Sequence, residues 1–586
     1  MLKLEPILHP STLSRFISER TKRNSSLWAD AAVFAGLLAI LYALFVSARV
    51  WFEPFAPVAN ISSSPRMLPL YAAYSLVRIS TAYIISLLFA LGYGLAAAKS
   101  ERAAKILLPL LDILQSIPVL SFLPGVMLAM VALFPGRQIG LELGSILLIF
   151  TGQAWNIAFS FYASMKGIPR ELDEAARLYR FSAWQRFTQL ELPFAAIGLV
   201  WNSMMSVAGG WFFLMACEMF VLGTRDFRLP GLGSYLQMAA SEGDTRAILW
   251  GMGAMIAVIV LLDQLVWRPA IAWSDKFKFE SVEGVAPQSF VLKVLRRSGA
   301  LAAFYRVAIY PVEERVTHAF VVNKSNVTVL EAAPQNKFKT WVARAFSLIA
   351  VAVVAWLAYR ALSTISQLGQ RQLFFLARDA AFTFLRVNAS LILGALWTVP
   401  VGVWIGTTPR VAKFAQPVVQ IAASVPATAL FPVLLLLLIR AGGGMGTAAM
   451  ALMLLGTQWY ILFNVIAGAM AIPTDLKEAS SVFRFDRVER WRRLILPAIF
   501  PYLVTGMVTA SGGAWNASIV AEYFHFQGGT LSVRGLGAAI SRATDSGNLP
   551  VLLAATVMMS LIVVTMNRTL WQRLYRLAAT RFKLET

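Results

Sequence analysis

A polar stretch of 26 residues occurs twice in this chain, each time between long apolar runs. Residues 168–193 read IPRELDEAARLYRFSAWQRFTQLELP, and residues 472–497 read IPTDLKEASSVFRFDRVERWRRLILP. A shift of 304 positions places Pro169 on Pro473, Glu174 on Glu478, Arg180 on Arg484, Phe181 on Phe485 and Pro193 on Pro497. A chain duplicated in this way is expected to build one architecture twice, with a water-exposed loop between apolar segments in each half.

The composition fixes the class of that architecture. Of 586 residues 58% are hydrophobic, and the mean hydropathy is +0.65, beyond what a soluble domain carries. Runs of about twenty apolar residues read as spanning helices. They fall at 29–49, 69–97, 107–134, 140–163, 194–223 and 247–268, then at 341–363, 381–406, 414–439, 446–469, 498–521 and 549–568. The expected fold is an all-α integral membrane protein of about twelve transmembrane helices, arranged as two pseudo-symmetric six-helix halves. The halves span 28–270 and 341–570, joined by a linker at 271–340 and flanked by termini at 1–27 and 571–586. No alternating segments of the outer-membrane barrel kind occur.

The net charge is +22, a value that on a soluble protein would suggest nucleic acid. Here topology places it. Lysine and arginine gather before residue 27, at Lys99–Lys105, in both duplicated loops, through 276–344 and from Arg573 to Lys583. By the positive-inside rule both termini, both loops and the linker are cytoplasmic, and no nucleic-acid partner is implied. The N-terminus has no small-residue cleavage site and reads as a retained anchor. The single cysteine, Cys217, excludes an intrachain disulfide.

Within each loop, apolar residues recur at helical spacing. Leu172, Ala175, Ala176 and Tyr179 lie at i, i+3, i+4 and i+7, as do Leu476, Ala479, Ser480 and Phe483. A proline followed by acidic residues suits a helix start, and three turns are too short to span. A small amphipathic helix on the membrane surface is predicted. Glu174-Ala175-Ala176 with Leu190-Glu191-Leu192-Pro193, and Glu478-Ala479-Ser480 with Leu494-Ile495-Leu496-Pro497, resemble the EAA loop of the membrane subunits of binding-protein-dependent ABC importers. The resemblance implies that each loop is a coupling helix docking into a cytoplasmic ATPase. One departure stands out: the family's glycine three residues after EAA is replaced by Arg180 and Arg484. Arginine does not readily take the positive φ open to glycine, so whether the usual sharp turn forms here is left open by the sequence.

Two further motifs are duplicated. Ser116, Pro118 and Pro124 align with Ser424, Pro426 and Pro432 at an offset of 308, and resemble the importer family's S-x-P stretch. Two prolines six apart open a bend in a spanning helix, which either lines a pathway or serves packing alone. Gly209, Trp211, Glu218 and Gly231-Leu232-Gly233 align with Gly513, Trp515, Glu522 and Gly535-Leu536-Gly537. This pattern resembles the nitrate, sulfonate, taurine and bicarbonate branch of the same permeases. A carboxylate in a spanning helix needs a partner or water, and Arg78 and Arg386 are the candidate partners, either as a lock on the bundle or at a substrate contact. In the linker, Val291, Leu292, Val294, Leu295, Arg296 and Arg297 predict an amphipathic helix on the inner leaflet.

No G-x-x-x-x-G-K-[ST] phosphate loop, metal cluster, serine elbow or catalytic carboxylate pair stands out. The chain reads as a permease subunit and not an enzyme, with no cofactor of its own; the resemblance implies ATP and Mg on two copies of a cytoplasmic ABC ATPase, leaves room for an extracytoplasmic substrate-binding protein, and sets the chain in the bacterial inner membrane with a small anion as cargo. The alternative is a repeat-built secondary transporter driven by an ion gradient, with Glu218 and Glu522 as proton carriers.

Overall fold

A computed structural model describes residues 27–54, 61–222, 225–277, 289–311, 358–526 and 529–581, with the isolated positions 315, 352, 355 and 356. The expected N-terminal segment 1–27 and the expected span 341–363 lie largely outside them.

The first half opens with α1 (Leu27–Trp51) and continues through α2 (Leu68–Lys99), α3 (Glu101–Ser116), α4 (Leu123–Leu133) and α5 (Ile139–Lys166). The loop helices α6 (Arg170–Leu178) and α7 (Ala183–Arg186) lead through a π-helical turn, Phe187–Glu191, into α8 (Leu192–Glu218). A short hairpin, β1 (Val221–Leu222) with β2 (Arg225–Asp226), precedes α9 (Leu232–Glu242), α10 (Thr245–Leu262) and, after a π-helical turn at Asp263–Trp267, α11 (Arg268–Ser274). The linker contributes α12 (Phe290–Arg297) and α13 (Gly299–Phe304).

The second half repeats this order as α14 (Gln370–Thr407), α15 (Pro409–Ser424), α16 (Ala427–Arg440), α17 (Met445–Met470), α18 (Thr474–Val482), α19 (Arg487–Arg490) and α20 (Leu496–Ala521). The hairpin β3 (Tyr523–Phe526) with β4 (Gly529–Ser532), then α21 (Leu536–Asp545), α22 (Leu549–Met566) and α23 (Gln572–Arg581) complete it. The π-helical turns Phe187–Glu191 and Asp263–Trp267 recur at Trp491–Ile495 and Asn567–Trp571, so the duplication extends to local irregularities of the helices.

Among the described residues nine helices are long and apolar enough to cross a membrane, and the chain is an all-α, multi-pass membrane protein. Two of the twelve expected spans, 107–134 and 414–439, are corrected. Each is a pair of shorter helices with a break before Pro118 or Pro426, because proline disfavours helical backbone at the residue before it: Ile117 and Val425 are extended at ψ 128° and 118°. The bend expected from the two prolines is therefore a full interruption, with the 3-10 turn Val119–Phe122 between α3 and α4.

Helices α2, α5 and α8 pack as one layer and α14, α17 and α20 as its counterpart. Close approach within the second layer uses small residues: a Cβ on Gly402 of α14 would meet Val465 at 2.8 Å, and one on Gly406 would meet Ala469 at 2.6 Å. The halves touch where the Leu120 N–H donates to Asn516 Oδ1 at 3.3 Å and Thr556 Oγ1 donates to Ser121 O at 3.4 Å. Helix α1 exposes Phe34, Leu37, Leu41 and Phe45 and is a peripheral apolar rod long enough to cross a membrane. At one end Trp28 stacks on Phe290 of α12, and Asp30 accepts from Ser298 Oγ at 2.6 Å, so the linker helices brace α1.

Candidate functional site

In each loop a short helix begins directly after proline, at Pro169 and Pro473. Both helices end in the same six-residue turn: the Phe181 N–H donates to Ala176 O and the Arg180 N–H to Arg177 O, at 3.0 and 2.9 Å, and Phe485 to Ser480 O with Arg484 to Ser481 O, both at 3.0 Å. This is a Schellman cap, whose C′ residue is left-handed and usually glycine. Arg180 and Arg484 occupy that position at φ 51° and 50°. The sharp turn that the loss of glycine left open is therefore kept, with arginine in the left-handed position. The left-handed backbone costs about 1–2 kcal/mol for a residue with a Cβ, and the two cap hydrogen bonds offset it.

The next helix starts at once. Ser182 forms a capping box with Gln185, and Asp486 one with Glu489. Glu174 and Glu478 are exposed, Ala175 and Ala479 half-buried, and Ala176 and Ser480 buried. The face does not continue inward to its last member: Tyr179 and Phe483 are 68% and 74% exposed, beside Leu178 and Val482 at 83% and 78%. Each loop thus presents an apolar tip next to a carboxylate and an arginine, Arg180 or Arg484, which are exposed too.

The second duplicated arrangement is a buried polar knot. Arg78 donates to Glu218 Oε1 at 2.5 Å and to Pro230 O at 3.2 Å. The Glu218 carboxylate also accepts from Ser75 Oγ and the Gly233 N–H, each at 2.7 Å. The Leu232 N–H donates to Ser75 Oγ at 3.0 Å. Position for position, Arg386 donates to Glu522 Oε1 at 2.6 Å and to Arg534 O at 2.7 Å, Thr383 Oγ1 donates to Glu522 at 2.9 Å, and the Gly537 N–H donates to Glu522 Oε2 at 2.9 Å. The Leu536 N–H donates to Thr383 Oγ1 at 2.7 Å. The carboxylate therefore caps the first turn of α9 or α21, where free N–H groups and the positive helix end favour an anion.

The halves differ in one partner. Arg78 also forms a two-pronged pair with Glu142, at 2.6 and 2.8 Å, whereas the matching position on α17 is Gly446. Arg78 is accordingly 1% exposed and Arg386 15%. Glu142, Ser75 and Thr383 were missed in the sequence, although a lone carboxylate in an apolar run and a hydroxyl three residues before each arginine were there to be read.

A cavity of about 160 Å³ lies between the halves, lined among others by Leu120, Pro124, Met219, Gln237, Tyr523 and Asp545. Arg78, Pro118, Trp211, Glu218, Arg386, Pro426, Trp515 and Glu522 do not line it; the lining begins a few residues after Pro118, Trp211 and Trp515, and the helices that carry Arg78 and Arg386 contribute nothing to it. Trp211 and Trp515 are buried in the core, Trp515 against Phe384. Ser116 and Ser424 end α3 and α15 just before the break. At the cavity wall Tyr523 Oη donates to Asp545 Oδ2 at 2.5 Å. Burial first, then this hydrogen bond and the charge of Asp545, push the Tyr523 phenol up to about 12.

A family profile described as "Binding-protein-dependent transport system inner membrane component" matches residues 88–266 and again 398–577. The chain is 27% identical over 182 residues to the nitrate import permease protein NrtB of Leptolyngbya laminosa, covering 31% of this chain and 62% of that protein. It is 30% identical over 137 residues to the bicarbonate transport system permease protein CmpB of Synechocystis sp., covering 23% and 48%, and 24% identical over 198 residues to the taurine transport system permease protein TauC of Escherichia coli, covering 33% and 68%. The matched stretches span about half to two thirds of these relatives' length.

Proposed function

We propose, from the premise that the chain belongs to the family of binding-protein-dependent transport system inner membrane components, that it is the membrane-spanning subunit of an ATP-driven importer with both permease halves fused in one polypeptide. The observation that carries this reading is the pair of Schellman-capped loops, each holding out an apolar tip beside an exposed glutamate. Such a tip, Leu178 with Tyr179 or Val482 with Phe483, suits a hydrophobic cleft on a soluble partner. Glu174 and Glu478 beside it can meet a cation or a helix N-terminus.

Two ATPase subunits that close on ATP would draw the two loops together. The halves would rock, and the cavity between them would open to one side and then the other. A cytoplasmic position for both loops and both termini is supported by the positive-inside distribution of lysine and arginine. Small oxyanions are the proposed cargo, in keeping with the nitrate, bicarbonate and taurine named for the relatives. Interior arginines add nothing to that choice, since Arg78 and Arg386 are both committed to carboxylates. The same commitment gives no support to proton carriage by Glu218 and Glu522.

Co-purification with the ATPase tests the reading. One chain should hold two ATPase subunits, and Glu174→Ala with Glu478→Ala should uncouple uptake from hydrolysis while the chain still inserts. A one-to-one complex, or full uptake by the double variant, would refute it.

A further inference from the structure

The two loops match in backbone but not in what ties them to the transmembrane helices. In the first half Asp173 on α6 pairs with Arg177 at 2.9 Å and is also in contact with Arg186 at the end of α7. Arg186 Nε donates to Glu191 Oε1 at 3.0 Å, and Lys99 Nζ, at the end of α2, stands 3.6 Å from Glu191 Oε2. Glu191 is 1% exposed, in the π-helical turn that opens α8. An unbroken ionic line thus runs from α6 through α7 to the bases of α2 and α8.

Each residue has an in-register counterpart, and three of the four cannot pair in this way. Asp173 is matched by Lys477, Glu191 by Ile495 and Lys99 by Thr407, and only Arg186 is kept, as Arg490. Arg490 repels a lysine at 477 and has no carboxylate at 495. Among the described residues its tie to α18 is one long hydrogen bond, Nη2 to Ser481 Oγ at 3.5 Å.

We infer that the two coupling loops are mechanically unequal: Asp173, Arg186, Glu191 and Lys99 form a strut that makes the first loop a rigid lever on α2 and α8, whereas the second loop has no buried ion pair among its described residues and, besides its backbone caps, is held by exposed contacts such as Arg490 with Ser481 and Arg493 over the Phe485 ring. The role in transport rests on the coupling function proposed above; the strut itself does not. These are positioning residues that touch neither cargo nor nucleotide. A buried carboxylate held by two cations resists displacement far more than an exposed pair does, so movement of α6 passes to the transmembrane layer with little slack.

The first measurement needs only the chain in lipid nanodiscs. Amide exchange in α6 should be roughly tenfold slower than in α18, the factor expected from one added charge-assisted hydrogen bond. Glu191→Gln, and separately Lys99→Gln, should abolish the difference, and Arg490→Gln should leave α18 within about twofold of its native rate. Lys477→Asp with Ile495→Glu rebuilds the strut around Arg490 and should slow α18. The second measurement adds the ATPase and uses nitrate as the probe in vesicles. Glu191→Gln should bind the ATPase and hydrolyse ATP as the native chain does, yet lower nitrate uptake per ATP by roughly fivefold or more, with Arg490→Gln near native. Equal native exchange in α6 and α18, or exchange in α6 indifferent to Glu191→Gln, would overturn the strut. If the native chain binds no ATPase, the coupling function falls, and the exchange comparison still decides the strut.

Discussion

Gly231 lies so close to Glu218 that a Cβ added to it would fall 2.3 Å from the carboxylate, and Gly535 stands over Glu522 in the same way, at 2.1 Å. The glycine-leucine-glycine motif and the distant glutamate are thus one device. The loop can lie on the carboxylate only where it has no side chain, and that approach lets the following N–H groups reach Glu218 and Glu522. Gly231→Ala or Gly535→Ala should lower stability by about 1–3 kcal/mol through overpacking at a site that cannot yield. Thermal unfolding in detergent checks this, and a midpoint unchanged from the native protein would contradict it.

Arg78 and Arg386 should differ in what their loss costs. Removing Arg78 strands Glu142 and Glu218 together in the core, whereas removing Arg386 strands Glu522 alone, at a site where the arginine is already 15% exposed. Breaking a buried pair costs about 3–5 kcal/mol. Arg78→Met should therefore prevent accumulation of folded protein, and Arg386→Met should fold with a lowered midpoint. Adding Glu522→Gln to Arg386→Met should recover part of the loss, because no uncompensated charge then remains. Equal yields of the two arginine variants would argue against the asymmetry.

The duplication made much of this legible. In-register pairs such as Arg78 with Arg386 and Glu218 with Glu522 stood out because both halves keep them, and their pairing follows from the cost of an isolated charge among apolar helices. What differs between the halves escaped the same comparison. Glu142 aligns with Gly446 and Glu191 with Ile495, so a search for repeats passes over them. The breaks before Pro118 and Pro426 were read as bends because hydropathy runs through them unchanged, while the backbone responds to proline and not to hydropathy. The hairpins at Val221 and Tyr523 carry four residues per strand at most, too few for an alternation to register.

Tyr523 gives the cavity wall a pH limit. Its phenol, pushed up to about 12 by burial and by the hydrogen bond to Asp545, lies beyond the last residue of α20 and outside the spanning helices. An unfolded tyrosine titrates near 10. A group whose folded value is raised contributes its stability in full below the unfolded value and loses it as pH climbs through the folded one. The native protein should exceed Tyr523→Phe by about 1 kcal/mol up to pH 10, and the gap should shrink steadily as pH rises from 10 towards about 12. Thermal midpoints of both proteins across that range read it, and a gap that persists above pH 12 would dismiss the hydrogen bond as its source.

Arg180 and Arg484 allow stability and docking to be separated. Both sit at positive φ, 51° and 50°, where glycine pays no steric penalty, so Arg180→Gly with Arg484→Gly should not weaken the turn. Relief of the left-handed strain, about 1–2 kcal/mol per site, is set against the greater freedom that glycine brings to the unfolded chain, roughly 0.5–1 kcal/mol. The net change should be neutral to mildly stabilising. ATPase binding should nonetheless fall, because both guanidinium groups are exposed beside the apolar tips of Tyr179 and Phe483, where a partner's acidic residues can reach them. Arg180→Lys with Arg484→Lys keeps the charge and the strained backbone but loses the two-pronged donor. Co-purification of the ATPase and its stimulated hydrolysis, measured beside thermal midpoints, give distinct outcomes. Loss of binding in the glycine pair with recovery in the lysine pair assigns the role to charge, and loss in both assigns it to guanidinium geometry. Native binding by the glycine pair would mean that arginine at these turns has no docking role and adds only positive charge to the loops.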